Sequence, residues 1–167
     1  MPSALILAVH LIDVLQQWTE NNAFFIWLRE SPSVWAYPMM FFLHTLGLIF
    51  TAGASVVVDA RLLGAASQLP VAPFARYFKA IWIGAGITLL SGAVMLGSDL
   101  QTRLTNRLFP WKMLFVVGAI VLTAVLRRRI ASAGVESRVS PSSRVLAAAS
   151  ILCWLGAIAA GKFAAYF

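Results

Sequence analysis

One cysteine, two histidines and six acidic residues are all that the chain's 167 positions contain of those types. A single thiol, Cys153, can close neither an internal disulfide nor a paired-cysteine metal or redox motif. There is no phosphate-binding glycine loop, no nucleophile set beside a base and no pair of carboxylates within an apolar stretch, so hydrolytic chemistry has no footing. Met1 to Val9 carry no basic region and no small-residue cleavage site, which predicts no cleavable leader. Charge is scarce as well, at 11% of residues, and thirteen Lys and Arg against six Asp and Glu leave a net +7. That balance could suggest nucleic acid, but no soluble domain exists to present a basic face, and basic loops are ordinary in membrane proteins.

What is abundant is apolar surface. The chain is 60% hydrophobic with a mean hydropathy of +0.84, which predicts an integral membrane protein of one domain. The residues around which it is organised run LHTLGLIFTAGASVVVDARLLG, from Leu43 to Gly64. Between Val34 and Val58 only His44 could carry charge, and at ~1.5 Å per residue this run crosses a hydrocarbon layer of ~30 Å. Three further apolar runs complete an all-α, up-down bundle of four transmembrane helices over 33–167, with crossings at about 34–58, 76–98, 109–127 and 144–165. Residues 1–32 precede it as an amphipathic interfacial segment, in which His10, Asp13, Gln17 and Glu20 share one face. Asp99–Arg107 reads as a polar connection and Ala131–Ser143 as an irregular linker.

Lys and Arg set the expected orientation. Arg61, Arg76, Lys79, Arg127, Arg128, Arg129, Arg138 and Arg144 fall on one side, against Arg29, Arg103, Arg107, Lys112 and Lys162 on the other. The larger group belongs in the cytoplasm, which places both termini outside, in the periplasm of a bacterial inner membrane.

His44, Gly47, Thr51, Ser55 and Val58 follow helical spacing and are mostly small or polar, so this face of the first crossing turns toward other helices. Phe41, Leu48, Ile49, Phe50 and Val56 suit lipid. The second crossing carries a similar stripe at Gly84, Thr88 and Gly92, and the fourth at Ala149, Cys153, Ala157 and Gly161; such stripes leave room for a homo-oligomer. An imidazole ten residues into a crossing requires a partner or a ligand. The candidates are a hydrogen bond to Thr51, Ser55, Thr88 or a backbone carbonyl, a haem iron, a copper ion, or a carried proton. Met40, Met95 and Met113 lie in the same half as His44, and thioether with imidazole suits copper(I) or haem. Two facing intramembrane histidines are not available, which argues against a di-histidine cytochrome b. Lys112 opens the third crossing and either snorkels to headgroups or holds a haem propionate. Asp59 and Arg61 are expected to pair with each other or with a neighbouring helix end. Gly47 and Gly84 are expected to let helices approach closely.

The run YPMMFFLHTLGLIFTAGASVVVDARLLG, with PWKMLFVVGAIVL and AGKFAAYF after it, resembles a family of bacterial four-helix membrane proteins with no established activity. Its pattern falls on Tyr37-Pro38, on His44 and Gly47, on Asp59 to Gly64, and on Lys112. The family often has a glutamate three residues before the histidine, where this chain has Phe41. A histidine in one crossing and a lysine opening a later one are also distantly similar to copper-resistance D and HemJ-type membrane proteins. The expectation is therefore a small membrane subunit that binds a redox cofactor, a single haem b or a quinone, near His44 and works in electron transfer with partner proteins. The alternatives are copper handling through Met40, His44, Met95 and Met113, and a structural or assembly subunit with no cofactor.

Overall fold

The computed structural model describes residues 2–132, 139–164 and 166, and among them every regular element is helical. Helix α1 (Pro2–Asn21) and α2 (Ala23–Glu30) precede the first long helix, α3, which runs Tyr37–Leu63. A single 3₁₀ turn, Ala72–Arg76, leads into α4 (Tyr77–Ser98), and α5 (Leu100–Thr105) fills the connection to α6 (Phe109–Ser132). The last helix is α7 (Pro141–Phe163). Four of these are long and apolar enough to cross a membrane: α3, α4 with its leading turn, α6 and α7. The protein is a multi-pass membrane protein whose exposed side chains, such as Ile83, Leu90, Val121 and Leu152, meet lipid.

Local chemistry fixes the helix ends. Pro38 sits in the first turn of α3, where its missing N–H costs nothing. Gly64 closes α3 at φ +120°, a conformation open to glycine, and the next amide, Ala65 N, donates back to Ala60 O at 2.9 Å. Ser140 caps α7 by accepting from Ser143 N, and Asn22 caps α2 by accepting from Phe24 N at 3.0 Å. The first crossing thus differs from the expected 34–58: it starts at the proline and continues past Asp59 and Arg61 to the glycine. Charge did not stop it because neither side chain faces lipid. The connection at Asp99–Arg107 contains helix α5, while the centre of the linker after α6, with Arg138, lies outside the described residues.

Within α3 the residues Ile49–Gly53 form a π turn. Thr51 Oγ1 donates to Gly47 O at 2.8 Å, which occupies a carbonyl of the helical ladder at the point where it widens. The wide turn rephases the helix, and its two halves have different partners. Before the turn α3 packs mainly on α4; after it, α3 packs on α7 as well. Leu48, expected to meet lipid, is half-buried against Ala52, Ala119 and Trp154 for this reason.

All four long helices meet only toward the end where α3 stops and α4 starts, called here the arginine end. There Val58 and Leu62 of α3, Phe78 and Ile81 of α4, Leu126 and Ile130 of α6 and Ala147 of α7 form one core. The other end, called here the terminal end, carries α5, the last residues of α7 and the junction of α1 with α2. It is tied together by polar contacts: Gln16 Nε2 to Gln101 Oε1 at 3.1 Å, Arg29 Nη1 to Ser98 O at 3.3 Å, and Asn106 Nδ2 to Ala164 O at 3.0 Å. Leu28 of α2 is fully buried, so the pre-bundle segment docks on the bundle as well as lying beside it.

Candidate functional site

The site begins with two glycines. A Cβ on Gly47 would stand 2.8 Å from Gly84 O, and one on Gly84 would stand 2.7 Å from Gly47 O, so the α3 and α4 backbones touch at this crossing. About one turn toward the terminal end, the His44 ring turns its Nδ1–Cε1 edge to α4, where a Cβ at Gly92 would be 3.0 Å from Cε1. Nδ1 of His44 is 3.0 Å from Thr88 O and 3.3 Å from Ser91 Oγ. A carbonyl only accepts, so Nδ1 carries the proton and Nε2 keeps its lone pair. The Ser91 hydroxyl is already donated to Ile87 O at 2.6 Å, and its oxygen is left to accept from the same imidazole N–H. No hydrogen bond to a described residue engages Nε2.

Two cations from other elements come near. Arg103 of α5 donates from Nη2 to Tyr37 Oη at 2.8 Å, while its Nε is buried without a partner. Lys112 of α6 is half-buried and runs its stem past α7, where a Cβ at Gly161 would be 3.7 Å from Nζ. Both cations lie within electrostatic reach of His44, and Arg103 within reach of Lys112. Neither makes an ion pair with a described residue. The terminal half therefore gathers an imidazole, a guanidinium and an ammonium from α3, α5 and α6, none of them in an ion pair with a described residue, an arrangement suited to an anionic group.

The sequence-derived candidates divide. His44 and Lys112 come together, joined by Arg103 and Tyr37. Met95 is buried and Met40 half-buried on the helices that hold His44, whereas Met113 is 38% exposed on the outer surface of α6. Among the described residues no group of three His, Cys, Asp or Glu could hold a metal ion. Cys153 packs at the α6–α7 contact, where a Cβ at Gly118 would be 3.3 Å from its Sγ. Asp59 and Arg61 do not pair. Arg61 donates from Nε to Leu69 O at 2.9 Å and from Nη2 to Ser67 O at 3.1 Å, so its charge holds the loop after α3. It takes this course because carbonyls left over by the Gly64 turn are nearer its face of the helix than the buried Asp59 carboxylate. A polar cleft of about 320 Å³ between α1, α2, α5 and the end of α4 contains none of the candidates; Gln16, Glu20, Arg29 and Gln101 are among its walls.

Sequence reasoning did not single out Arg103, and although it named Thr88 and a backbone carbonyl among the possible partners of His44, it did not identify the Thr88 carbonyl as the one. No spacing rule marks them: Arg103 sits in a polar connection, and which carbonyl faces His44 depends on the glycine crossing. Comparison with protein families, curated proteins and solved structures gives no match, so the geometry alone carries the functional argument.

Proposed function

We propose that the chain is a small subunit of a bacterial inner membrane that binds one redox cofactor with anionic groups, a single haem b or a quinone, beside His44. One observation carries this reading: the Nδ1 hydrogen bond to Thr88 O leaves the Nε2 lone pair available, beside Lys112 and Arg103. A backbone carbonyl that holds one ring nitrogen and orients the other is the usual support for an iron-ligating histidine. Lys112 and Arg103 would hold propionates, or the oxygen of a reduced quinone, and Tyr37 would steady Arg103. The haem would supply one-electron chemistry. So little of the chain stands outside the bundle that electrons would pass to partner proteins. The excess of Arg and Lys at the arginine end supports a cytoplasmic position for that end, with both termini in the periplasm.

The test is the absorption spectrum of the protein purified from membranes supplied with haem. A Soret band that is lost in His44→Ala and weakened in Lys112→Gln supports the haem reading. A colourless protein that retains quinone through His44 supports the quinone form. If neither is bound, and His44→Ala changes only stability, the imidazole merely ties α3 to α4 and the protein is an assembly subunit. Copper is the second reading, favoured by the burial of Met95 close to the His44 segment. It requires bound copper by metal analysis, lost in a Met40/Met95 double substitution.

A further inference from the structure

The arginine end holds a second polar group that the His44 reading does not use. Ser55 and Asp59 of α3, Thr123 of α6 and Ser150 of α7 are each at least 96% buried, at exposures of 2%, 2%, 4% and 0%. Ser55 Oγ, Asp59 Oδ2 and Thr123 Oγ1 lack a hydrogen-bond partner, and the Ser150 hydroxyl has only the Asp59 carboxyl opposite it. The three hydroxyls occupy one level of the bundle. Ser55, Thr123 and Ser150 each sit three residues from a member of the apolar core below, namely Val58, Leu126 and Ala147. Each is also three or four residues from a member of the apolar layer above, namely Ala52, Ala119 and Trp154. Asp59 is one turn along from Ser55 and faces the Ser150 hydroxyl across the α3–α7 contact.

A carboxylate buried in this apolar core needs a positive charge or a proton, and among the described residues no side chain supplies the charge. Arg61, two residues on, is spent on the Ser67 and Leu69 carbonyls. Arg76 of the 3₁₀ turn, Lys79 of α4, Arg127 of α6 and Arg144 of α7 are exposed, and among the described residues no charged neighbour acts on the Asp59 carboxylate. Natural interiors rarely leave several adjacent oxygens without partners, and hydrocarbon offers no water to replace them. The donors are all hard oxygens, one of them anionic, which matches a hard monovalent cation in both charge and chemistry. Asp59 also lies only four residues from the end of α3 at Leu63, roughly 6 Å along the axis at ~1.5 Å per residue, so exchange with solution at the arginine end is short-range.

We propose that Asp59, with the hydroxyls of Ser55, Thr123 and Ser150, is an exchangeable binding site for a hard monovalent cation, sodium or a proton. The site is independent of any cofactor at His44. The experiment uses the full-length protein in detergent, treated with a carbodiimide that modifies buried carboxyl groups only when protonated. Labelling at Asp59 is read by mass spectrometry across a pH series in sodium chloride or in choline chloride. Expected is modification at Asp59 that falls roughly tenfold per pH unit once the carboxyl titrates. If sodium suppresses labelling at fixed pH and choline does not, sodium is the ligand; Ser150→Ala and Thr123→Val then raise the sodium concentration needed. If both salts give the same pH-dependent curve, the ligand is a proton. The proposal is overturned if folded protein shows no labelling at Asp59, or labelling that neither pH nor cation alters, which marks a permanently protonated structural acid. Asp59→Asn identifies the labelled residue, and since Ser150→Ala retains the carboxyl, a failure of Asp59→Asn to fold leaves the test intact.

Discussion

The two ends of this bundle solve different problems with the same four helices. At the arginine end, α3, α4, α6 and α7 all contribute to one apolar core, and the chain between α3 and α4 is pinned by Arg61. At the terminal end, α3 keeps chiefly to α4, and the other elements join in pairs, through apolar contacts such as Phe25 on Gly97 and Phe115 on Gly156 and through hydrogen bonds from Arg103 to Tyr37, Asn106 to Ala164 and Gln16 to Gln101. In hydrocarbon, apolar burial gives no drive between helices, so tight packing must come from shape, and only the arginine end brings all four long helices into one such core. An end packed pair by pair can part to admit a ligand at lower cost. The contrast teaches that the four-helix apolar core and the His44 cluster lie toward opposite ends of the axis, with the π turn of α3 between them.

The sharpest way to break this comparison is to cut equal side chains on and off the core. Leu126→Ala removes a side chain that is 1% exposed and should cost ~2–5 kcal/mol, whereas Leu114→Ala, at 60% exposed near the terminal end, should stay within ~0.5 kcal/mol. Unfolding of the detergent-solubilised protein measures both. Equal losses would mean that no closed core exists at the arginine end.

Next in size is Arg61→Ala, which strands the Ser67 and Leu69 carbonyls. Loss of charged hydrogen bonds predicts ~1.5–3 kcal/mol, together with faster proteolysis within the loop after Gly64. Unchanged cleavage would show that the guanidinium does not hold the loop. The helix crossing should respond a little less. Gly84→Ala places a methyl group 2.6 Å from Thr51 Oγ1 and 2.7 Å from a backbone oxygen, and should cost ~1–3 kcal/mol. Gly53→Ala, which meets nothing within 4 Å, should be neutral or stabilising by up to ~1 kcal/mol. A reversal of these two would separate α3 from α4 at the crossing. The smallest effect is expected at the terminal end, where Tyr37→Phe loses the acceptor for Arg103 and should cost ~0.5–1.5 kcal/mol. A cost matching that of Leu126→Ala would erase the difference between the ends.

Much of this architecture was legible before any coordinates. The run around His44 showed a long apolar helix with a small-residue face, and Gly47, Thr51, Ser55 and Val58 are the buried residues of that face. The meeting of Gly47 with Gly84 follows from two stripes of small residues on consecutive antiparallel helices. The end of α3 was misplaced because Asp59 and Arg61 were treated as boundary charges. Asp59 instead turns inward toward Ser150, and Arg61 folds back over the glycine turn. Met113 was grouped with Met95 by depth alone, and depth says nothing about the side of the helix on which a residue falls. Arg103 was invisible as a site residue because its position depends on a six-residue helix folding across the bundle end.

By itself the sequence determined the four apolar spans, the proline, serine and glycine signals at their ends, and the faces along which they could approach. Those properties come from solvation and backbone sterics acting within a few residues, so they survive without knowledge of neighbours. Tertiary structure alone decided which carbonyl holds His44 Nδ1, that Lys112 and Arg103 come within electrostatic reach of the same ring, and that three buried hydroxyls share a level beside the Asp59 carboxyl. Each of these depends on the rotation of one helix about its axis relative to another, and a single π turn in α3 resets that rotation midway. Contacts set by such angles link residues far apart in the chain, where local chemistry has no hold.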